Sequence, residues 1–174
     1  MGTPLIDGLI FAQNVLVGSG VRDKVRLAAS AKITSAFEMA RVMALGADWC
    51  NAARAFMFSI GCIQAMKCQT NKCPTGVTTQ DKRRQRGLVV TDKSQRVYNY
   101  HRNTLDDLAQ VVAACGLEHP TDLSPSLLCH RTNSLHHKTY KDLFEWCTPN
   151  MFYDKENKCS YAKKWKMASA EAFC

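Results

Sequence analysis

No stretch of this chain stays apolar for long enough to cross a bilayer. The most apolar one, "LIDGLIFAQNVLVG" at 5–18, is broken by Asp7, Gln13 and Asn14 and has no basic segment ahead of it. It reads neither as a transmembrane helix nor as an export signal. "MGTPLI" lacks the hydroxyl residue of a myristoylation signal, and Cys174 stands last, so a prenylation box is not expected. The setting these absences predict is the reducing cytoplasm, with no membrane partner. The nine cysteines then point to metal ligation ahead of disulfides. Acidic residues are also short, 15 against 23 Lys and Arg, for a net charge of +8. The excess gathers in "DKRRQRG" (81–87) and in the tail from Lys155 to Lys166. Neither place has the interleaved aromatics and glycines of an RNA module, and no zinc-finger or helix-turn-helix pattern surrounds them. A solvated basic loop and tail is the favoured reading, a nucleic-acid partner is disfavoured, and a dock for an acidic electron-transfer partner stays open.

What is present suits one domain: 174 residues, 46% of them hydrophobic, can bury a sizeable core. No internal repeat or low-complexity tract interrupts it. Helix-like spacing over 4–17 stops at "GSG" (18–20), and "KVRLAAS" (24–30) suits a strand buried on both faces. Ser35 is placed to cap a helix that runs to Gly46, and 47–56 reads as a second buried strand. "MFSIGCIQAMKC" has a helical period, which puts Cys62 inside or at the end of a helix and Cys68 in the loop after it. Helix and strand in alternation predict an α/β fold with a parallel sheet. Downstream, 94–116 predicts a long helix, Ser124–Pro125 starts a short one, and "HKTYKDLFEWC" suggests a third. The stretch from Asn150 is expected to be irregular. Two buried strands do not complete a parallel sheet, so the sequence reads as the end of a larger domain.

Cys62, Cys68 and Cys73 follow a C-x5-C-x4-C spacing closed by Pro74. Zinc knuckles place paired ligands closer together, and four-cysteine iron–sulfur runs are absent. Three thiolates suit a cluster with one thiolate per iron, with loop N–H groups bonded to the cluster sulfurs. The alternative is a small buried hydrophobe at Cys62 and two ordinary loop thiols. Cys50 and Cys115 read as core, and the roles of Cys129, Cys147, Cys159 and Cys174 are open.

These residues carry a resemblance. The segment "GVRDKVRLAASAKITSAFEMARVMALGADWCNAARAFMFSIGCIQAMKCQTNKCPTGVTTQD" resembles the end of the FMN-binding synthase domain of glutamate synthase. It is more similar still to stand-alone FMN-binding glutamate synthase-like proteins, over about residues 2–147. The resemblance implies the C-terminal portion of a TIM-like (β/α)8 barrel. In it, 24–30 stands for the seventh strand, 48–54 for the eighth, and Leu5–Val17 for the helix before them. Phosphate sites of such barrels form after these two strands. "SAKITS" and "NAARAF" would then meet the FMN phosphate through Ser30, Ala31, Lys32, Ala53 and Arg54, although an ordinary salt bridge is an equal reading for Arg54. By the same resemblance Cys62, Cys68 and Cys73 hold a [3Fe–4S] cluster. Residues 1–90 would form the end of the barrel with its cysteine loop, 91–149 a helical extension, and 150–174 an irregular basic tail that resembles nothing in the family. Ala31 and Ala55 stand where glycine is usual, and the first six strands and the glutaminase domain have no counterpart. The implied reaction is reductive amination of 2-oxoglutarate, with ammonia or glutamine as nitrogen source, to glutamate. Reduced FMN gives the hydride, and ferredoxin or an NAD(P)H-flavin subunit supplies electrons. A truncated, non-catalytic iron–sulfur or metal-binding fragment is the competing expectation.

Overall fold

The computed structural model describes residues 2–156 and 159–172. Helix α1 (Leu5–Gly18) buries Leu9, Ile10, Asn14 and Gly18. The last three of these are four residues apart and so share one stripe. The helix ends at the "GSG" stop, where the N–H of Val21 reaches back to the carbonyl of Leu16 at 3.0 Å.

Strands β1 (Ala28–Ala29) and β2 (Trp49–Cys50) run parallel, with Ala28 opposite Trp49 and Ala29 opposite Cys50. Helix α2 (Ala36–Ala44) is the crossover between them. The expected strands 24–30 and 48–54 are therefore in place but much shorter. Two effects shorten them. The Arg22 guanidinium donates to Gln13 Oε1 (2.7 Å), the Gly46 carbonyl (2.9 Å) and Asp48 Oδ2 (2.9 Å), which holds Arg22–Lys24 in a 3-10 turn. On the other strand, helix α3 (Ala53–Ser59) begins just after the pairing ends. Asp48 accepts from the Leu27 N–H at 2.7 Å and thereby fixes the register. Burial pushes its carboxyl up, but the Leu27 N–H and the Arg22 guanidinium outweigh that and hold it below the usual range.

Ser35 caps α2 as expected, and the box is complete: Ser35 Oγ accepts from the Glu38 N–H (3.3 Å), and Glu38 Oε2 accepts from the Ser35 N–H (3.2 Å) and the Thr34 N–H (2.7 Å). The buried face of α2 is Ala36, Ala40 and Ala44, packed against Leu108 and Val112 of the long helix α5 (Val90–Ala114). A second cluster joins Leu9 and Ile10 of α1 to Ala29, Ile33, Val42 and Leu45, the last two fully buried.

The 91–149 stretch is not wholly helical. Cys129–Arg131 (β3) pairs antiparallel with His137–Thr139 (β4), and only Tyr140–Leu143 (α6) of the expected third helix forms. Asn133 turns the chain by accepting from the N–H groups of Leu135 and His136, both at 2.9 Å. The Ser124–Pro125 start yields a 3-10 turn, Pro125–Leu127.

The tail also departs from the irregular expectation. It forms a turn at Met151–Tyr153 and a helix, Ser160–Met167. Phe152, Cys159 and Ala162 make a third cluster, with Phe152 stacked on Trp165 at 5.2 Å. Phe152 lies so close over α1 that a Cβ at Gly18 would sit 2.5 Å from its ring. Asn14 ties the same face by donating to the Glu145 carbonyl (2.9 Å) and accepting from the Cys147 N–H (2.6 Å). Cys115 is exposed, which corrects its reading as core, because it follows the last helical turn, before Gly116. Cys50 is half-buried, Cys159 is buried, and Cys174 lies outside the described residues. The architecture is thus mixed helix and sheet, with a parallel strand–helix–strand unit. Among the described residues the sheets have two strands each and no barrel closes. No described helix is long and apolar enough to cross a membrane.

Candidate cofactor and cluster site

Helix α3 does not continue through Cys62. Gly61 takes φ +100°, and the Cys62 N–H turns back to the Met57 carbonyl at 2.9 Å. A left-handed residue at this position ends a helix at low cost only when it lacks a Cβ. Cys62 is thereby carried out of the helical period and into the loop that holds Cys68 and Cys73. That is the physical reason its helical placement fails.

A cavity of about 530 Å³ lies between the loop after β1 and the first turn of α3. Its walls include Ser30, Lys32, Asn51, Ala53 and Arg54, together with Met57, Phe58, Cys62 and Cys68. Four of the five residues expected at the flavin phosphate are brought together there, and Ala31 is not on the wall. Nor is Ala31 the strained position. Lys32 has φ +51°, and Gln64 and Met66, on the same wall, have φ +55° each. Non-glycine residues in this region store backbone strain of about 1 kcal/mol or more, and such strain concentrates at functional sites. Ala52, before the first turn of α3, offers no side-chain acceptor to the turn's N–H groups. Among the described residues Arg54 has no carboxylate partner.

Next to this wall is a much smaller cavity, about 20 Å³, lined by Cys62, Cys68 and Cys73 along with Thr75 and Thr78. The Cys73 sulfur lies 3.5 Å from Thr75 Oγ1. The Thr75 hydroxyl, with the backbone and hydroxyl of Thr78 behind it, pulls the Cys73 thiol down to about 6. Thr78 Oγ1 is itself buried and has no hydrogen bond of full geometry. The three cysteines and the Thr78 hydroxyl thus share the wall of one small cavity. Among the described residues no three His, Cys, Asp or Glu side chains are placed to hold a metal ion.

The loop is held from outside. Asn71, at φ +61°, accepts from the Gln80 N–H (2.6 Å) and the Thr79 hydroxyl (3.0 Å). Gly76 packs so closely under the Arg84 carbonyl that no side chain has room there. The "DKRRQRG" stretch is thus a short helix, α4 (Lys82–Gln85), capped by Asp81, although its Lys82, Arg83, Arg84 and Arg86 are solvated as expected. Thr75, Thr78 and Asn71 escaped the sequence reading. The run of hydroxyls in "CPTGVTTQ" was the available signal.

A family model described as a conserved region in glutamate synthase matches residues 1–118. The glutamate synthase large subunit-like protein YerD of Bacillus subtilis (strain 168) is 37% identical over 131 residues, which is 75% of this chain and 25% of that protein. The chloroplastic ferredoxin-dependent glutamate synthase 2 of Arabidopsis thaliana is 35% identical over 79 residues, 45% of this chain and 5% of that protein. The glutamate synthase (NADPH) large chain of Azospirillum brasilense is 27% identical over 135 residues, 78% of this chain and 8% of that protein. The chain spans a quarter or less of each of these relatives. With two-thirds of its length inside the family model, the chain belongs to the glutamate synthase family.

Proposed function

We propose that this chain is the C-terminal part of a glutamate synthase-type flavoprotein, which converts 2-oxoglutarate to glutamate by reductive amination with nitrogen from ammonia or glutamine. One observation carries the reading: the residues suited to a flavin phosphate and two of the three clustered cysteines line a single cavity. Ser30, Lys32, Ala53 and Arg54 would hold the phosphate end of FMN, with Lys32 and Arg54 supplying positive charge. Met57 and Phe58 supply an apolar part of the wall. Cys62, Cys68 and Cys73 would hold a [3Fe–4S] cluster. When bound, FMN supplies hydride chemistry and the cluster one-electron transfer. The relatives named for ferredoxin and for NADPH support a ferredoxin or an NADPH-linked flavin subunit as electron donor.

A second reading has its own support, because the chain covers only a quarter of YerD. On that reading it is a non-catalytic iron–sulfur fragment. Anaerobic purification with iron, sulfide and FMN separates the two: flavin bands together with iron support the first, and iron without flavin supports the second. Cys68→Ser should lose most of the iron, whereas Cys115→Ser, at an exposed position away from the loop, should keep it. Equal iron in both variants would sink the ligand assignment.

A further inference from the structure

We infer that Cys147 and Cys159 are an oxidisable pair, joined reversibly by a small-molecule disulfide such as glutathione disulfide, and that the new bond locks the tail onto α1. The pair is separate from the cofactor site. Neither cysteine lines either cavity described above, and both lie beyond the residues that the family model matches. Twelve positions separate them in sequence, but the fold sets them side by side. Cys147 packs against the cluster of Phe152, Cys159 and Ala162, and its thiol and that of Cys159 are hydrogen-bonding partners. Both backbones are held in place. The Cys147 N–H donates to Asn14 Oδ1 at 2.6 Å. Two residues earlier, the Glu145 carboxylate accepts from the N–H of Ser160, next to Cys159, at 3.0 and 3.2 Å, and from the Ser160 hydroxyl. A thiol so placed meets its partner at an effective concentration set by the fold. Cys147 is half-buried and Cys159 is buried, so a reagent in solution reaches Cys147 first. Burial, and the Cys159 thiol beside it, push the Cys147 thiol up, which makes the exchange slow.

The chemistry balances as two exchanges. Cys147, on losing its proton, attacks one sulfur of glutathione disulfide. That S–S bond breaks, and one glutathione leaves as the thiolate with the electron pair. Cys159 then loses its proton and attacks the Cys147 sulfur of the mixed disulfide, and the second glutathione leaves in the same way. Two protein thiols are oxidised, one glutathione disulfide is reduced to two thiols, and the two protons pass to the departing glutathiones. Cys159 is the N-cap of the tail helix α7 (Ser160–Met167). The bond therefore ties the start of α7 to the segment that Asn14 holds on α1. It closes the tail around Phe152, which stacks on Trp165 and lies over Gly18.

The test is equilibration of the purified 174-residue chain, without oxygen or added metal, in mixtures of reduced glutathione and glutathione disulfide. Acid quench, alkylation and mass spectrometry of tryptic peptides follow. Cleavage at Lys155 puts the two cysteines on separate peptides, so the link is read directly in the wild-type chain. At fixed reduced glutathione, the link should be half-formed with about tenfold less glutathione disulfide than exposed Cys115 needs for its mixed disulfide. It should open again on return to reduced glutathione alone. Brief trypsin treatment of the native chain should cut at Lys163 and Lys164 about tenfold more slowly in the oxidised than in the reduced wild type. Cys147→Ser and Cys159→Ala should show no such difference. Glutathione on Cys147 with no link to Cys159, or a link formed only between separate chains, would overturn the inference. An intramolecular link that leaves the cleavage rate unchanged would also overturn it, because the tail would then not be locked.

Discussion

Asp48 shows how one carboxylate can decide where a strand starts. It takes the Leu27 N–H and the Arg22 guanidinium, with side-chain exposures of 19% and 18% for the two charged groups. Removing it with Asp48→Ala leaves a mostly buried cation and a backbone donor unpaired, and should cost about 3 kcal/mol in urea unfolding. Its folded pKa lies below the ordinary value, so the unfolded chain binds the proton more tightly. The stability it contributes is fully present above the unfolded value of about 3.9 and is lost as pH falls through the folded one. Between pH 7 and 3 the wild type should therefore lose more stability than Asp48→Asn; parallel pH profiles would contradict this. Lys32 is the second instructive residue. Lys32→Gly removes both the left-handed strain and the charge beside the cavity. We expect stability to rise by about 0.5–1 kcal/mol while FMN affinity falls about tenfold, read by thermal melting and by flavin fluorescence. A variant that loses stability would show that φ +51° carries no strain here.

At the scale of elements, local chemistry was legible wherever it acts over a few residues. The "GSG" stop, the Ser35–Glu38 box and the long helix ending before Gly116 could each be read because cap and period lie within the same window. Strand length could not be read, since it depends on what Arg22 finds 24 and 26 residues away at Gly46 and Asp48. The β3–β4 hairpin was hidden because its turn rests on Asn133, whose side chain replaces the glycine that a hairpin search looks for. The tail helix did carry a signal, Tyr161 and Trp165 one turn apart, but its charged surroundings masked it. Of the candidate site, the cysteine spacing and the two loops that follow β1 and β2 were legible as patterns. That they share one cavity was not, because Gly61 sets the direction of the loop. The packing of α2 on α5 offers a sharp test of element-scale fit. Ala40 is 3% exposed against Leu108 and Val112. Ala40→Leu should overpack the contact and cost about 1–3 kcal/mol, whereas Ser35→Ala should cost about 1 kcal/mol through the cap alone. If both variants melt like wild type, the two helices do not meet as described.

For the molecule as a whole, the parallel pair β1–β2 has no further strand beside it among the described residues, and Phe37, Trp49 and Ile63 are 75%, 48% and 65% exposed. Unpaired strand edges beside apolar surface promote association. In sedimentation at micromolar concentration the purified chain should show species larger than a monomer, reduced by Trp49→Lys. A single monomer peak up to about 100 μM would contradict this.

Asn14 adds a constraint in time. The buried amide of α1 finds its partners at Glu145 and Cys147, 131 and 133 positions further along the chain. On a ribosome adding roughly 5–20 residues per second, α1 waits roughly 7–26 s before the residues that cover it exist. During that interval Leu9 and Ile10 can already meet Ala29, Ile33, Val42 and Leu45, but the face of α1 that carries Asn14 stays uncovered. The yield of native protein should therefore depend on chaperone supply during synthesis more than on the stability finally reached.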